Sequence, residues 1–379
     1  MSDSRTREST RQCDLDQKAR AILERNDRGG YTVPNGEVYP FQWNWDSAFV
    51  ALGFSTFAPA RAWAELETLF RAQWPDGFVP HIVFWKPDPG YFPGPEVWQA
   101  GRDPATSGIT QPPVAASVVR WLFEADREGG REHAERLFPA LVGWHRWFAE
   151  FRDPLKKGLV LVVHPWETGR DNSPEWDAPA AAVDTSRIAP YERRDIAKLD
   201  HGMRPTKEDY DRYLAILEFG RDHSWDHSLM AECGPFRVLD VGMTMILIRA
   251  ERDLLALAEM LGHEAEAAEI RKRLDRAAEG VSFLWNEEVG AFCSYDMVAG
   301  RSLPMITSAA FLPFYAGVGT PEQRAALLDH LARIASRVRY LVPSLDPEHG
   351  AFDAIRYWRG PVWAVVNFLI ARGLADEGE

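Results

Sequence analysis

VLDVGMTMILIRAERDLLALAEMLG, residues 238–262, is followed after one residue by EAEAAEIRKRLDRAAEGVSFLW, residues 264–285. The first segment is apolar on nearly all sides at its beginning, which is typical of a helix buried on every face, and it ends at a glycine. The second has apolar residues three and four positions apart and charges on its other side, which is typical of a helix half-exposed to solvent. The pair predicts a helical hairpin with one buried and one outer member.

The same alternation is repeated along the chain. Apolar helices are predicted at 108–123, 238–262, 305–316 and 361–372, and amphipathic helices at 59–73, 131–151, 264–285 and 321–336. Two further signals are Thr206 and Thr320, which are suited to cap the helices that follow them. Pro139 should break or kink the helix at 131–151. Apolar runs at 159–165 and 337–344 predict two short strands. We count about eleven candidate helices.

An inner ring of apolar helices inside an outer ring of amphipathic helices allows every apolar face to be buried. Closed on itself, this arrangement is an all-α (α/α)6 toroid, a six-hairpin barrel, and our count is one helix short of the number that closes it. No linker divides the chain, so we predict a single catalytic domain over 1–379 that is incomplete at its C-terminus and lacks the last helix. The stretches 75–107 and 164–205 are longer than ordinary connections, and we expect them to be active-site loops.

The composition narrows the class of protein. The formal net charge of −13 disfavours a nucleic acid or an anionic membrane as partner. The three cysteines, Cys13, Cys233 and Cys293, are odd in number and lack metal-like spacing, which favours a reducing compartment. The polar N-terminus does not resemble a signal peptide, and no apolar run reaches the roughly 18 residues of a membrane span. We therefore expect a soluble cytoplasmic protein.

The segment HPWETGRDNSPEWD (164–177) carries the strongest chemical signal. Asp171 lies among residues that favour a loop or a helix entry, with Trp166 and Trp176 on either side. A carboxyl beside aromatic rings has a raised pKa and can stay protonated near neutral pH, which suits proton donation to a glycosidic oxygen. A surface loop with a capping aspartate explains the segment about equally well.

The segment YPFQWNWDSAF (39–49) combines aromatic rings with a carboxylate. Rings of this kind stack on sugars while the carboxylate accepts hydrogen bonds from hydroxyls, so we consider this a candidate sugar site. Its members are Tyr39, Trp43, Trp45 and Asp46. Asp46 can equally be the N-cap of the helix that follows, and both roles are compatible only if another residue caps the helix.

Two further segments offer sugar-binding side chains. YWRGPVW (357–363) supplies Tyr357, Trp358 and Trp363. Its Arg359 is better explained by a pair with a structural acid than by a substrate contact. SGITQPP (107–113) places Gln111 at a helix start, where its amide can bind a hydroxyl or satisfy the helix end.

Two polar segments were considered for anion and metal binding. DHGMRPTKEDYDRY (200–213) supplies Arg204 and Tyr210, and arginine suits bidentate binding of a carboxylate, although a surface ion pair is its commoner role. RDHSWDHS (221–228) has two histidines four positions apart but no clear third ligand. The sequence lacks a glycine-rich phosphate-binding loop, a GxSxG elbow and a CxxC pair. We therefore predict neither a metal nor a cofactor.

Four of these motifs in this order, YPFQWNWDSAF, SGITQPP, ETGRDNSPEWD and YWRGPVW, resemble the glycoside hydrolase family that contains processing α-glucosidase I. The similarity is closest to its bacterial branch of mannosylglycerate and glucosylglycerate hydrolases and covers nearly the whole chain. The resemblance implies an (α/α)6 barrel and inverting hydrolysis of an α-glycosidic bond.

The resemblance also implies roles for individual residues. Asp171 matches the family's general acid. The sugar-binding residues of the family match Tyr39, Trp43, Trp45, Asp46, Gln111, Trp358 and Trp363. Those that bind glycerate match Arg204, Tyr210 and Tyr357, and Tyr91 in GYFPGPEVW resembles a mobile-loop tyrosine that closes the pocket.

One departure concerns the general base, which in this family is a glutamate downstream of the YWRGPVW helix. That motif is not present in this chain, and Glu377 and Glu379 do not resemble it. Glu167 and Asp177 are nearby acids that can be considered as substitutes. The open edge left by a missing helix should expose apolar surface and favour a homo-oligomer.

We therefore predict an inverting α-glycoside hydrolase that cleaves glucosylglycerate or mannosylglycerate, a small anionic sugar substrate, to the hexose and glycerate. One alternative keeps the fold but acts on a neutral disaccharide, as trehalase or glucoamylase does. Another is a catalytically impaired sugar-binding protein, because the general-base segment is absent.

Overall fold

The computed structural model describes the backbone of residues 2–193, 195–196 and 200–378, and the side chains from residue 14 onward within those ranges. In chain order the described helices are α1 Ser2–Asn26, α2 Asn44–Ser55, α3 Pro59–Phe70, α4 Pro95–Trp98, α5 Ala115–Ala125, α6 Arg131–Phe151, α7 Asp177–Ala180, α8 Lys207–Asp222, α9 His227–Cys233, α10 Val241–Leu261, α11 Glu264–Gly280, α12 Leu312–Ala316, α13 Pro321–Ala335 and α14 Ala364–Glu377. The described strands are β1 Gln42–Trp43, β2 Ile82–Phe84, β3 Ala105–Thr106, β4 Leu161–Val162, β5 Val238–Leu239, β6 Trp285–Asn286, β7 Ala291–Phe292, β8 Tyr295–Asp296 and β9 Arg301–Ser302.

The predicted alternation of inner and outer helices is present. Helices α2, α5, α10, α12 and α14 pack against one another in that order, and α3, α6 and α11 pack on the outside of α2, α5 and α10. Helix α10 is buried on most of its surface, whereas α11 has few buried residues. The fold is therefore mostly helical, with apolar helices inside amphipathic ones.

The helix ends follow the local sequence. Thr206 and Thr320 both form capping boxes, with Asp209 and Gln323 respectively, as the sequence predicts. Helix α10 begins three residues later than predicted, because Val238 and Leu239 form β5 and the Asp240 side chain accepts the hydrogen bond of the Met243 amide.

Two local predictions are wrong. Helix α6 runs without a break through Pro139, since Leu137, Phe138, Leu141 and Val142 around it are all buried in the core. No strand forms at 337–344, where the one extended pairing is an isolated bridge between Pro343 and Val362. The predicted strand at 159–165 is confirmed as β4, which pairs with β5.

The fold is not purely helical, because three small antiparallel sheets are present among the described residues, with strand orders β1-β2-β3, β4-β5-β8-β9 and β6-β7. The first sheet joins the predicted loop at 75–107 to the start of α2, since Gln42 pairs with Val83. The second joins β4, just before the predicted loop at 164–205, to β5 at the start of α10. Both long loops are thus anchored beside the N-terminal ends of inner helices.

Two surface features bear on the predictions. None of the helices that the structure describes combines the length and the apolar character needed to cross a bilayer. Apolar side chains are exposed at α14, which is a mostly apolar helix. Phe368 within it is 41% exposed, and Val362, two residues before the helix begins, is 42% exposed.

Candidate active site

A cavity of about 620 Å³ lies where the two long loops meet the start of α2. Eight of the residues singled out in the sequence line it, namely Tyr39, Trp43, Tyr91, Gln111, Trp166, Asp171, Arg204 and Tyr210. Residues from segments far apart in the sequence are therefore brought to one place.

The turn that carries Asp171 is tightly built. Gly169 has φ of +67°, and a Cβ atom there would lie 2.4 Å from the ring of Trp45. The Arg170 amide donates to the Thr168 hydroxyl at 2.9 Å, and the Tyr213 hydroxyl donates to the Asp171 carbonyl oxygen at 3.0 Å. Only glycine meets both demands at position 169, the positive φ and the close approach of Trp45.

The carboxyl of Asp171 has the electrostatic character of a proton donor. Removal from bulk solvent raises its pKa to about 6, although the Arg204 guanidinium and a hydrogen bond with Tyr357 act in the opposite direction. A carboxyl with such a pKa is partly protonated near neutral pH and can act as a general acid. The alternative of a merely capping aspartate does not explain its place in the cavity lining.

Asp46 is not the N-cap of α2. The cap position is Trp43, whose side chain makes no capping bond, and Asp46 lies in the first turn of the helix. Burial raises the pKa of Asp46 to about 7, and the nearby charges of Asp171 and Glu65 also raise it. Asp46 does not line the cavity, but it is close enough to Asp171 for the two charges to interact, and both carboxyls have raised pKa values.

Arg204 connects several groups of the cavity. Its Nε donates to Asp195 at 2.8 Å, and its Nη2 donates to the Tyr39 hydroxyl at 2.7 Å. Its guanidinium carbon lies 4.0 Å from the centre of the Tyr357 ring. Arg204 is 8% exposed, so it is not the surface ion pair considered as the alternative.

Asp195 was not singled out in the sequence. It accepts hydrogen bonds from Arg193 at 3.0 and 2.8 Å as well as from Arg204. These two arginines lower its pKa against the effect of burial. Two guanidinium groups therefore surround one carboxylate beside the cavity, in a chain that carries −13 overall.

The aromatic residues of the last motif lie behind the lining. Trp358 and Trp363 stack with ring centres 4.5 Å apart and 12° between the planes. The Trp358 amide donates to Asn172 Oδ1 at 2.9 Å, which joins this motif to the residue after Asp171. Tyr357 has φ of +34°, a strained value for a residue with a side chain.

Two other predicted sugar contacts have structural partners. Gln111 Oε1 accepts the Trp45 backbone amide at 3.3 Å, so it satisfies a helix start as well as lining the cavity. Trp45 itself is 7% exposed and packs against Gly169. Trp43 lines the cavity, and within the part of the chain that the structure describes its buried indole Nε1 has no hydrogen-bond partner.

The substitutes considered for the general base are already paired. Glu167 is buried and accepts hydrogen bonds from Arg152 at 3.0 Å and from the Val163 amide at 2.8 Å. Asp177 is 48% exposed and forms an ion pair with Arg359, as expected for that arginine. Neither acid lines the cavity. Glu379 lies outside the described residues.

The histidines at 221–228 have separate partners. His223 Nδ1 lies 2.7 Å from the Phe219 carbonyl oxygen, and His227 Nδ1 accepts from the Trp147 indole at 3.0 Å. No group of three or more histidine, cysteine, aspartate or glutamate side chains among the described residues is placed to bind a metal ion. Cys233 and Cys293 are free thiols, and the Cys13 side chain lies outside the described residues.

Further lining residues were missed in the sequence, above all His81 and Asp195. His81 is a single histidine in an apolar run, which reads as an ordinary core residue. Asp195 follows two arginines, which reads as a solvated charge run. Trp166 lines the cavity as suggested, whereas Trp176 is buried and its indole donates to the Arg170 carbonyl oxygen at 2.8 Å.

Comparison with known proteins places this site in context. Residues 39–379 match the family described as the mannosylglycerate hydrolase MGH1-like glycoside hydrolase domain. A mannosylglycerate hydrolase from Thermus thermophilus is 50% identical over 368 residues, which cover 95% of this chain and 88% of that protein. A glucosylglycerate hydrolase from Mycolicibacterium hassiacum is 36% identical over 383 residues, which cover 95% of this chain and 86% of that protein.

A solved structure agrees with these sequence matches. The crystal structure of the GH63 mannosylglycerate hydrolase from Thermus thermophilus in complex with Tris superposes with a TM-score of 0.93 at 48% identity. The match covers 96% of this chain and 88% of that one. The mostly helical fold with this arrangement of helices is therefore shared.

Proposed function

This chain belongs to the mannosylglycerate hydrolase MGH1-like family of glycoside hydrolases, and we propose that it hydrolyses an α-glycosylglycerate to the free hexose and glycerate. The relatives named above act on mannosylglycerate or glucosylglycerate, and both substrates combine a neutral sugar with a carboxylate. The cavity offers groups suited to each half.

The observation that carries the proposal is that Asp171 and Arg204 line the same cavity and are joined through Tyr39 and Tyr357. A proton donor and a carboxylate-binding arginine at this proximity match the two ends of a short anionic glycoside. A neutral disaccharide would offer Arg204 no carboxylate to bind.

In the reaction we assign, the protonated carboxyl of Asp171 donates its proton to the glycosidic oxygen as the bond from C1 to that oxygen breaks. A water molecule adds to C1 from the opposite face and loses its proton to surrounding water, a slow step because none of the acids at the cavity is assigned as the base. Attack from that face converts an α-glycoside into a β-hexose, so the product anomer reports inversion. Glycerate leaves with the proton from Asp171.

The sugar half is assigned to the aromatic end of the cavity. Trp43 offers a ring face and a buried indole N–H without a described partner, which suits a hydroxyl acceptor. Asp46 and Gln111 offer acceptors, and Trp45, Trp358 and Trp363 support this wall from behind. Tyr39 joins it to the charged end.

The glycerate half is assigned to Arg204, with Tyr210 and Tyr357 as hydroxyl donors. Tyr210 lines the cavity, and the guanidinium of Arg193 lies 4.1 Å from its ring centre. Tyr91 also lines the cavity, and its ring packs edge-on against Phe41 with ring centres 4.9 Å apart. We propose that Tyr91 closes the cavity over the substrate.

The water-activating base is assigned to none of the acids at the cavity. An inverting base must be an ionised carboxylate roughly 6.5–9.5 Å from the acid, with space for water between them. Asp195 is bound by two arginines, and Asp46 has a pKa of about 7 and is assigned to the sugar. We therefore propose that residues 1–379 lack this base, as the resemblance implies.

The direct test is to incubate the purified chain with mannosylglycerate, glucosylglycerate and trehalose and to follow the first-formed hexose by proton NMR. Slow release of a β-hexose from a glycosylglycerate, and none from trehalose, is the expected result, because the base is assigned to no residue of this chain. Cleavage of trehalose at an equal rate would contradict the proposal. Binding of a glycosylglycerate without release, measured by calorimetry, would favour the sugar-binding alternative.

A second test addresses the base. Azide is a small anionic nucleophile that needs no general base, so it should accelerate turnover of a glycosyl fluoride and yield a β-glycosyl azide if the base is lacking. Rapid hydrolysis without azide, and no azide product, would show that a residue of this chain activates water. The D171N variant with the same fluoride serves as the control for the acid.

We further propose that the inner helices follow the ring of an (α/α)6 toroid that lacks its last helix. The ring centres of Phe49 in α2 and Phe368 in α14, at the two ends of the inner series, are 6.3 Å apart. Small-angle scattering should then fit a single compact body. The homo-oligomer predicted from the sequence is a separate question, and a solution mass equal to that of one chain would exclude it.

A further inference from the structure

A group of buried polar side chains lies directly behind Asp171. Arg170, the residue before it, contacts the carboxylates of Glu175 and Asp240 through its two terminal nitrogens. Ser294 donates to Glu175 at 2.9 Å, and Ser173 donates to the same carboxylate at 3.0 Å. All five side chains are buried.

This group joins three parts of the chain. Arg170, Ser173 and Glu175 belong to the turn that carries Asp171. Asp240 caps α10, where its Oδ1 accepts the Met243 amide at 2.6 Å. Ser294 lies between strands β7 and β8. The guanidinium therefore ties the turn to the N-terminus of a buried inner helix.

Gly242 leaves space for the Arg170 guanidinium because it has no side chain. A Cβ atom at this position would lie 3.3 Å from Arg170 Nε and 3.3 Å from its Nη2. The carbonyl oxygen of Arg170 accepts the Trp176 indole at 2.8 Å, so the backbone of the turn is also bound. A planar fork with two separate terminal nitrogens bridges two carboxylates in a way that a lysine ammonium does not.

We propose that Arg170 is a positioning residue for the general acid. Its ion pairs with Glu175 and Asp240 fix the turn so that the next side chain, Asp171, is directed into the cavity. The inference rests on the proposed function, because it concerns proton donation by Asp171. It adds a role for three buried residues, Arg170, Glu175 and Asp240, that do not themselves line the cavity.

A purely structural role makes a different prediction from a positioning role. Loss of general stability lowers the amount of active enzyme and reduces the rate for every substrate by one factor. Misplacement of Asp171 slows those substrates whose leaving group needs a proton. Glycerate leaves as an alkoxide unless it is protonated, whereas fluoride leaves a glycosyl fluoride as a stable anion.

The test compares R170K with R249K. Arg249 is also buried and pairs with Asp253 and Asp376, each at 2.8 Å, but it lies in α10 away from the cavity. We expect R170K to lower kcat for the glycosylglycerate by at least about 100-fold, the lower range of a general-acid contribution. We expect less than about a tenfold loss with the matching α-glycosyl fluoride and a nearly unchanged KM. R249K should affect both substrates equally.

An equal loss for both substrates in R170K would overturn the proposal. If R170K does not fold, G242A is used instead, because its added methyl crowds the guanidinium without removing the charge. The same preference for the fluoride, with a smaller loss, is then expected. Equal losses in G242A would also overturn it.

A measurement that needs no turnover separates this proposal from the proposed function. The titration of the Asp171 carboxyl group is followed by the ¹³C NMR signal of its carboxyl carbon. That signal is identified because it is absent from the spectrum of D171N. In R170K the pKa of this carboxyl should fall towards the ordinary range, because a displaced side chain reaches solvent. An unchanged titration would overturn the positioning role. If the wild type neither binds nor cleaves a glycosylglycerate, the proposed function fails while this result still decides on Arg170.

Discussion

Arg204 donates a hydrogen bond to the hydroxyl of Tyr39 at 2.7 Å, although 165 positions separate the two residues in the chain. Tyr39 belongs to the segment assigned to the sugar and Arg204 to the segment assigned to glycerate. Burial raises the pKa of Tyr39, and the Arg204 charge opposes that rise. The two halves of the cavity are therefore coupled by one charge-assisted contact.

The first prediction concerns this arginine. Arg204→Ala should raise KM for a glycosylglycerate by about 10- to 100-fold, since a hydrogen bond to a charged group contributes about 1.5–3 kcal/mol. A neutral glycosylglycerol should be affected much less, because it lacks the carboxylate. Steady-state kinetics with both substrates measures the difference. Arg146→Ala, which removes an exposed ion pair with Glu269, is the control.

The second prediction concerns the pH dependence of the rate. The general acid must be protonated in the free enzyme, and the pKa of Asp171 is raised to about 6. The value of kcat/KM for a glycosylglycerate should therefore fall about tenfold per pH unit above pH 6. A glycosyl fluoride should not show this alkaline decrease. A profile that is flat from pH 6 to pH 8 would speak against Asp171 as the acid.

The third prediction concerns stability. The folded-state pKa of Asp46 is raised from 3.8 to about 7, so the folded protein binds this proton more tightly than the unfolded chain does. Its contribution to stability is then full at low pH and declines as pH rises from about 4 to about 7. The upper limit of the loss is about 4 kcal/mol, because one pKa unit corresponds to about 1.4 kcal/mol.

Asp46→Asn should consequently raise Tm at pH 8 by several degrees relative to the wild type and leave it nearly unchanged at pH 4. Differential scanning calorimetry at the two pH values provides the measurement. An increase in Tm of the same size at both values would mean that the charge of Asp46 is not responsible.

The fourth prediction compares two glycines with positive φ. Gly169 has φ of +67° and no space for a Cβ atom, whereas Gly262 has φ of +86° and nothing within 4 Å. Gly262→Ala should cost about 1 kcal/mol from backbone strain alone. Gly169→Ala should cost more and should also lower kcat, because Trp45 or the Asp171 turn must move. Urea unfolding and kinetics of both variants test this, and equal effects on stability would contradict it.

The fifth prediction separates the two acids considered as substitute bases. Glu167→Gln should destabilise the fold by about 3–5 kcal/mol, since it leaves the buried Arg152 without its counter-charge. Asp177→Asn removes one partner of a solvent-exposed pair and should cost less than about 1 kcal/mol. A loss of kcat in Asp177→Asn at unchanged stability would instead identify Asp177 as the base.

The helices were predictable because burial imposes a period on the sequence. The segments at 131–151 and 321–336 form α6 and α13 almost to the residue, and Thr206 and Thr320 cap as expected. The continuous helix through Pro139 was not predictable, since the packing of its neighbours outweighs one lost hydrogen bond. Helix α1 was missed because its sequence is mostly polar and its few apolar residues form no helical period.

The candidate site was predictable where an unusual residue type marks it. The tryptophans and Asp171 stand out in any reading of the sequence, and Trp43 and Asp171 do line the cavity. Asp195, His81 and the Arg170 group do not stand out, because a charge run, a single histidine and an arginine beside an aspartate are all common. That the chain forms a single domain remains a prediction.

The amino-acid sequence alone determined that this is a mostly helical protein with apolar helices inside amphipathic ones, because each helix carries its own burial pattern in its residue spacing. It also determined which loops are too polar and aromatic to serve only as connections. The tertiary structure alone decided which charges meet. Arg204 contacts Asp195 and Tyr39, and Arg170 lies between Glu175 and Asp240, because contacts between distant segments depend on how the helices pack.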